Sequence, residues 1–132
     1  MMIIVLDTSA AAEIVLQREN SVSLGKNIVQ AEWVIAPTLF ISEITNVFWK
    51  YYVFKDMPLE LCEQAIDRAV SLPDEFVSEK DLYKEAFPLG CLTQKPIYDM
   101  FFLVLARRNN AYLMTMDISL KEVAKKNSIR LI

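Results

Sequence analysis

The chain contains no histidine, only two glycines and two cysteines, and no apolar run long enough to cross a bilayer, although 54% of its 132 residues are hydrophobic. Each absence closes off some chemistry. Without histidine there is no Ser-His-Asp or Cys-His catalysis, no imidazole acid-base chemistry, and no route to most zinc sites. Two isolated glycines, Gly25 and Gly90, cannot build the Gly-rich turn of a dinucleotide-binding domain. Cys62 and Cys91 are far apart in segments of helical spacing, so both are expected as buried free thiols, and no Cys pair has metal-site spacing. The first residues lack a basic segment ahead of a signal-type apolar stretch, so the protein is expected in the cytoplasm with no membrane association. A net charge of −3 argues mildly against a general nucleic-acid coat but leaves room for a local basic rim.

What is present fits one domain over residues 1–132, large enough to bury a core without disulfides or structural metal. The high apolar fraction leaves surface for a subunit interface, so an oligomer is expected. Met2 to Leu6 is an unbroken apolar run with the character of a strand buried on both faces, and it stops at Asp7-Thr8-Ser9. Asp7 is a natural helix cap, and it also lies where open α/β sheets bind ligands, at a strand's carboxyl end.

Helical spacing over Ala10 to Gln17 is broken by Arg18 to Ser21, a second helix spans Ser21 to Gln30, and Glu32 to Ala36 reads as a strand ended by Pro37. Thr38 is placed to cap a long helix running to Met57-Pro58, in which Glu43 shares a face with Asn46 and Lys50 within a largely apolar element. Pro58 opens a helix over Leu59 to Leu72, and Pro73 closes it. Glu75 to Val77 reads as a short strand. Ser78 and Asp81 have capping spacing for a helix to about Cys91, with Pro88, Gly90 and Pro96 making its end irregular. After Pro96 comes a helix apolar on nearly all sides, which nevertheless opens with Asp99 and ends in Arg107-Arg108. Ala111 to Thr115 reads as a third core strand stopping at Asp117. Ser119 with Glu122 forms a capping box for a helix to Asn127, and Ile129 to Ile132 reads as a last strand. Alternating strands and helices predict an α/β fold with a central parallel sheet wrapped by helices.

Right-handed crossovers bring the carboxyl ends of parallel strands to one edge, where Asp7, Glu43, Asp99 and Asp117 are expected to converge. Four ionised carboxylates in one crevice repel, unless a cation neutralises them, and the cation suited to an all-oxygen ligand set is Mg²⁺ or Mn²⁺. Such an ion keeps several waters and prefers phosphate oxygens, which suits phosphodiester hydrolysis. Thr8, Ser9 and Thr115 are hydroxyls able to orient a carboxylate or a water beside it.

Leu6-Asp7-Thr8-Ser9, Ser42-Glu43 with Asn46, Tyr98-Asp99 and Thr115-Met116-Asp117, in this order and in these strand and helix contexts, resemble the PIN domain family, in particular its VapC-type toxins. The resemblance implies a three-layer α/β/α sandwich and Mg²⁺- or Mn²⁺-dependent endoribonuclease activity. It also implies a homodimer, and an antitoxin protein partner that covers the acidic groove. By matching position, Asp7, Glu43, Asp99 and Asp117 would be the catalytic, metal-binding acids, with Thr8, Ser9, Asn46 and Thr115 in support. Ser119 stands where the family often has a further acid, which puts a second metal in doubt. Lys50, Lys95, Arg107 and Arg108 are the candidate phosphate-contacting cations, and single-stranded or loop RNA, with its splayed bases and exposed backbone, is the expected substrate.

Three other readings fail on particular residues. A haloacid-dehalogenase-type phosphatase needs a second Asp two residues after the first, and position 9 is Ser. A phosphate-receiver domain needs clustered acids at the first strand, and a dinucleotide-binding domain needs the missing Gly-rich turn. A reading from a different class stays open: a non-catalytic module of the same fold, binding a protein or an ion through its acidic pocket.

Overall fold

A computed structural model describes residues 2–132. Met2 to Leu6 forms β1 (Ile3–Leu6), in which Ile4, Val5 and Leu6 are all fully buried. Successive strand side chains point to opposite faces, so burial of all three means that both faces of this strand are covered. The chain continues through α1 (Thr8–Val15), α2 (Ser21–Gln30), β2 (Trp33–Pro37), α3 (Leu39–Lys55), α4 (Leu59–Val70) and β3 (Glu75–Val77). It then forms α5 (Tyr83–Thr93), α6 (Ile97–Arg108), β4 (Tyr112–Met114) and α7 (Ile118–Lys126). The sheet has the order β3-β2-β1-β4 with every pairing parallel. This is the parallel sheet wrapped by helices expected from the alternation of elements, and the α/β/α sandwich that the resemblance implies, with β1 at its centre.

Helix α6 is apolar all round for a reason visible in its contacts: Met100 to Ala106 are buried without a break, and the helix packs on β1, β2 and β4. Its start is fixed by the α5–α6 corner. Gln94 ends α5 in the left-handed region at φ 57, and Pro96 follows. Gly90 is required there, because a Cβ would overlap the Ile97 side chain and lie 3.2 Å from the Lys95 carbonyl oxygen. The long helix α3 is ended earlier than Pro58 demands, by Asp56 in the left-handed region at φ 54.

Several expectations are corrected. Helix α5 runs through Pro88 to Thr93; Pro88 and Lys84, whose carbonyl loses its helical donor, are both exposed, so water can serve the freed oxygen. Ser78 accepts a hydrogen bond from the Lys80 amide, but the turn it opens is a short 3-10 segment, Glu79–Asp81, ahead of α5. Thr38 does not cap α3: its hydroxyl donates to Glu79 Oε2 at 3.0 Å and accepts from the Glu79 amide at 3.2 Å. Asp117, not Ser119, caps α7, accepting from the Leu120 amide at 3.2 Å. Ile129 to Ile132 is not a full strand and makes one bridge, Leu113 with Leu131, because Ser128 at φ 59 redirects the chain just before it. Both cysteines are free, but only Cys62 is buried, while Cys91 faces outward from α5.

Candidate active site

The crevice is built by two strands that stop side by side. The Asp7 amide donates to the Met114 carbonyl at 3.0 Å, carrying the β1–β4 ladder one residue beyond β1. Asp7 and Thr115 are thereby brought together at the carboxyl edge of the sheet. Asp7 is only 7% exposed and also serves as the α1 cap, with the Ser9 amide donating to Oδ1 at 2.8 Å. The Ser9 hydroxyl donates to Oδ2 at 3.1 Å, and the Thr115 hydroxyl makes a short hydrogen bond to the same oxygen. Ser9 in turn accepts from the Met116 amide at 3.0 Å, and Thr115 accepts from the Asp117 amide at 3.0 Å. The Asp-Thr-Ser and Thr-Met-Asp segments are therefore one hydrogen-bonded unit that fixes the Asp7 carboxylate and aims the start of α7. Capping and site-building are the same set of bonds.

Glu43 arrives from α3, held at 2.9 Å by a hydrogen bond from the Thr8 hydroxyl to its Oε1. Asp99 enters from the first turn of α6, and Asp117 from the cap of α7. These four acids, with Thr8, Ser9, Asn46, Val47 and Lys50, line a cleft of about 310 Å³. The electrostatics follow from that convergence. Burial pushes the Asp7 carboxyl above its usual range, opposed by hydrogen bonds from Thr115 and Ser9 and reinforced by Asp117. Burial raises Glu43 to about 7; the Thr8 hydrogen bond opposes this, while Asp7, Asp99 and Glu79 add repulsion. Burial raises Asp99 to about 6, with Asp117 and Asp7 repelling it and Lys95 partly offsetting them. Raised carboxyl groups that lift one another mark a crevice short of positive charge.

The structure brings all four predicted acids, together with Thr8, Ser9, Asn46 and Lys50, into one cleft, with Thr115 directly behind. Lys95 stands at its edge, donating to Ser119 Oγ at 3.2 Å. Arg107 and Arg108 are elsewhere: at the far end of α6 they pair with Glu85 of α5, at 3.4 and 2.7 Å. Glu79, which the sequence reading did not single out, acts on Glu43 through its negative charge and is held by Thr38. The signal that would have found it is a hydroxyl directly after β2 with an acid two residues past the end of β3, two adjacent parallel strands.

The donor set fits a hard divalent cation: the four acids offer only oxygens, and burial, with repulsion from neighbouring carboxylates added, raises Glu43 and Asp99. Among the described residues no three of these groups already stand as a finished ligand cage. Mg²⁺ does not require one, since it binds through one or two carboxylates and keeps its waters.

An α/β/α domain with converging acids at the carboxyl edge of a parallel sheet defines a class of acidic-cleft domains. A family model of the PIN domain matches residues 4–126, so the chain belongs to the PIN domain family. Two solved structures share the fold. PAE2754 from Pyrobaculum aerophilum is similar with a TM-score of 0.73 at 17% identity, over 92% of this chain and 84% of that one. VapBC2 from Rickettsia felis, solved bound to a DNA fragment from their promoter, gives a TM-score of 0.69 at 15% identity, over 99% of this chain and 98% of that one. No curated protein matches the chain by sequence.

Proposed function

We propose that the protein is a Mg²⁺- or Mn²⁺-dependent endoribonuclease, the toxin of a toxin-antitoxin pair. The observation that supports this best is the cleft lined by Asp7, Glu43, Asp99 and Asp117, in which the first three carboxyl groups are raised. Membership of the PIN family supports nuclease activity, and the VapBC2 likeness supports assembly with an antitoxin. In this reading Asp99, Asp117 and Glu43 offer oxygens to the cation. Asp7 offers what remains of its lone pairs while the Ser9 and Thr115 hydroxyls fix its rotamer. The ion, when bound, supplies a water of lowered pKa and offsets charge on the scissile phosphate. Thr8 keeps Glu43 turned into the cleft, and Lys50 sits on the same wall, within reach of an incoming phosphate. The protein works in the cytoplasm as a homodimer, and an antitoxin controls it by covering the acidic cleft.

The test is cleavage of a mixed structured RNA pool with Mn²⁺, Mg²⁺ or EDTA, beside Asp99→Asn. Metal-dependent cuts that vanish in the variant are the expected result. Cleavage in EDTA, or undiminished cleavage by the variant, refutes it. The alternative, a non-catalytic interaction module, is favoured if no RNA is cut and neither the wild type nor the variant binds Mn²⁺.

A further inference from the structure

An acidic cleft repels the polyanion it would have to receive, so a substrate strand needs positive charge outside the cleft to hold it. The α6–α7 side of the molecule supplies it. Lys95 is planted at the cleft's edge by the rigid α5–α6 corner: Gly90 admits its carbonyl, Gln94 turns the chain in the left-handed region, and Pro96 starts the next helix. From there Lys95 reaches Ser119 in the first turn of α7, two residues past Asp117. Lys95 also lines a separate cavity of about 310 Å³, with Lys126, Asn127 and Thr93 as its polar members and no acid.

On α7 the positions 119, 123, 126 and 127 recur at spacings of four, three and one, so Ser119, Val123, Lys126 and Asn127 share one helix face. Asn127 is shared with a second cavity of about 220 Å³, which adds Ser128, Arg130 and Arg107, again with no acid. Glu122, the sole acid of α7, lines neither. Arg107 is neutralised by Glu85, but Lys95, Lys126 and Arg130 form no direct ion pair among the described residues. A line of cations thus leaves the cleft at Lys95, follows α7 for about 13 Å, and ends at Arg130, which lies over the Tyr112 ring at 4.2 Å.

We infer that this line is the backbone track for the single-stranded RNA on one side of the cut, with Lys95, Lys126 and Arg130 contacting successive phosphates beyond the metal cleft. The assignment rests on the nuclease reading. It makes the three residues strand-holding groups, not catalytic ones: they act on every sequence alike and only on strands long enough to reach them.

The experiment measures binding of a fluorescent single-stranded RNA to the full chain in EDTA by anisotropy, across a salt series. It compares wild type with the triple variant Lys95→Gln/Lys126→Gln/Arg130→Gln and with a control, Lys26→Gln/Lys80→Gln, whose lysines are exposed on other elements. With a slope of about 0.7 per phosphate contact, each lost contact weakens binding about 5-fold at 0.1 M salt. The triple variant should therefore bind on the order of 100-fold more weakly, with a salt slope shallower by about 2, while the control stays near wild type. Cleavage of a long strand by the triple variant should fall through KM. A triple variant with wild-type affinity and slope overturns the track and leaves the nuclease reading intact. A wild type that binds no RNA and cleaves none overturns both, and equal weakening in the control reduces the effect to net charge and overturns the track.

Discussion

Removing the charge of Glu43 should stabilise the metal-free protein, and only above a definite pH. Glu43 has a folded-state value of about 7 against an ordinary 4.5, mainly through burial. A carboxyl group raised in this way favours the folded state while protonated, so its contribution is present below about 4.5, is lost progressively as pH rises toward 7, and is fully lost above 7. At face value the shift corresponds to about 3 kcal/mol. Glu43 is only half-buried, so solvent screening reduces this to on the order of 1–2 kcal/mol. Glu43→Gln keeps the shape and an acceptor for Thr8. In EDTA at pH 8 it should raise the thermal midpoint by about 3–8 °C, and at pH 4 it should raise it by nothing. The assay is thermal or urea unfolding of both proteins across pH 4–8. A variant less stable than wild type at pH 8, or a gain that is the same at pH 4, would refute the claim that the folded protein disfavours the ionised form of Glu43.

Other consequences follow from the same geometry. Mn²⁺ at about 100 times its Kd at pH 8 should stabilise the wild type by about 2.7 kcal/mol there and by less at the same concentration at pH 5.5, and Asp99→Asn or Asp117→Asn should abolish the gain; differential scanning calorimetry reads it. Thr115→Val removes the foremost hydrogen bond opposing the raised Asp7 carboxyl, so the acid limb of Mn²⁺ binding should move to higher pH; an unmoved limb would show that Asp7 takes no part. Gly90→Ala should cost about 1 kcal/mol by overpacking against Ile97, despite the better helix propensity of Ala; a gain in urea midpoint would contradict the close α5–α6 approach.

The parts of the fold that were legible in sequence are those where one signal dominates. An unbroken apolar run stopping at Asp7 gave the central strand, and an all-round apolar helix opening with Asp99 gave α6, because burial on every side leaves little else for such segments to do. What stayed hidden depended on competition between near-equal local signals or on long-range partners. Asp117 and Ser119 are both good caps, and the earlier one won because Thr115 already holds the Asp117 amide. Pro88 reads as a breaker unless its face is known to be solvated. Ser128 turning through a positive φ leaves Ile129 to Ile132 with a single bridge, which a β-rich composition cannot reveal. In the site, the four acids were legible because each closes or opens a recognisable element. The fates of Arg107 and Arg108 were not, since their partner Glu85 belongs to a neighbouring helix. Glu79 was hidden for the same reason, as it comes near Glu43 only through the β2–β3 pairing.

If these acids are there to hold a divalent cation, calorimetric titration with Mn²⁺ at pH 6, in two buffers of different ionisation enthalpy, reads it directly. Because Glu43 and Asp99 rise to about 7 and about 6, each ion bound must displace protons from them. The expected result is saturable binding that releases about one proton at pH 6 and almost none at pH 8.5, and that is lost in Asp99→Asn. No binding by the wild type, or binding with no proton release and no loss in the variant, would contradict it.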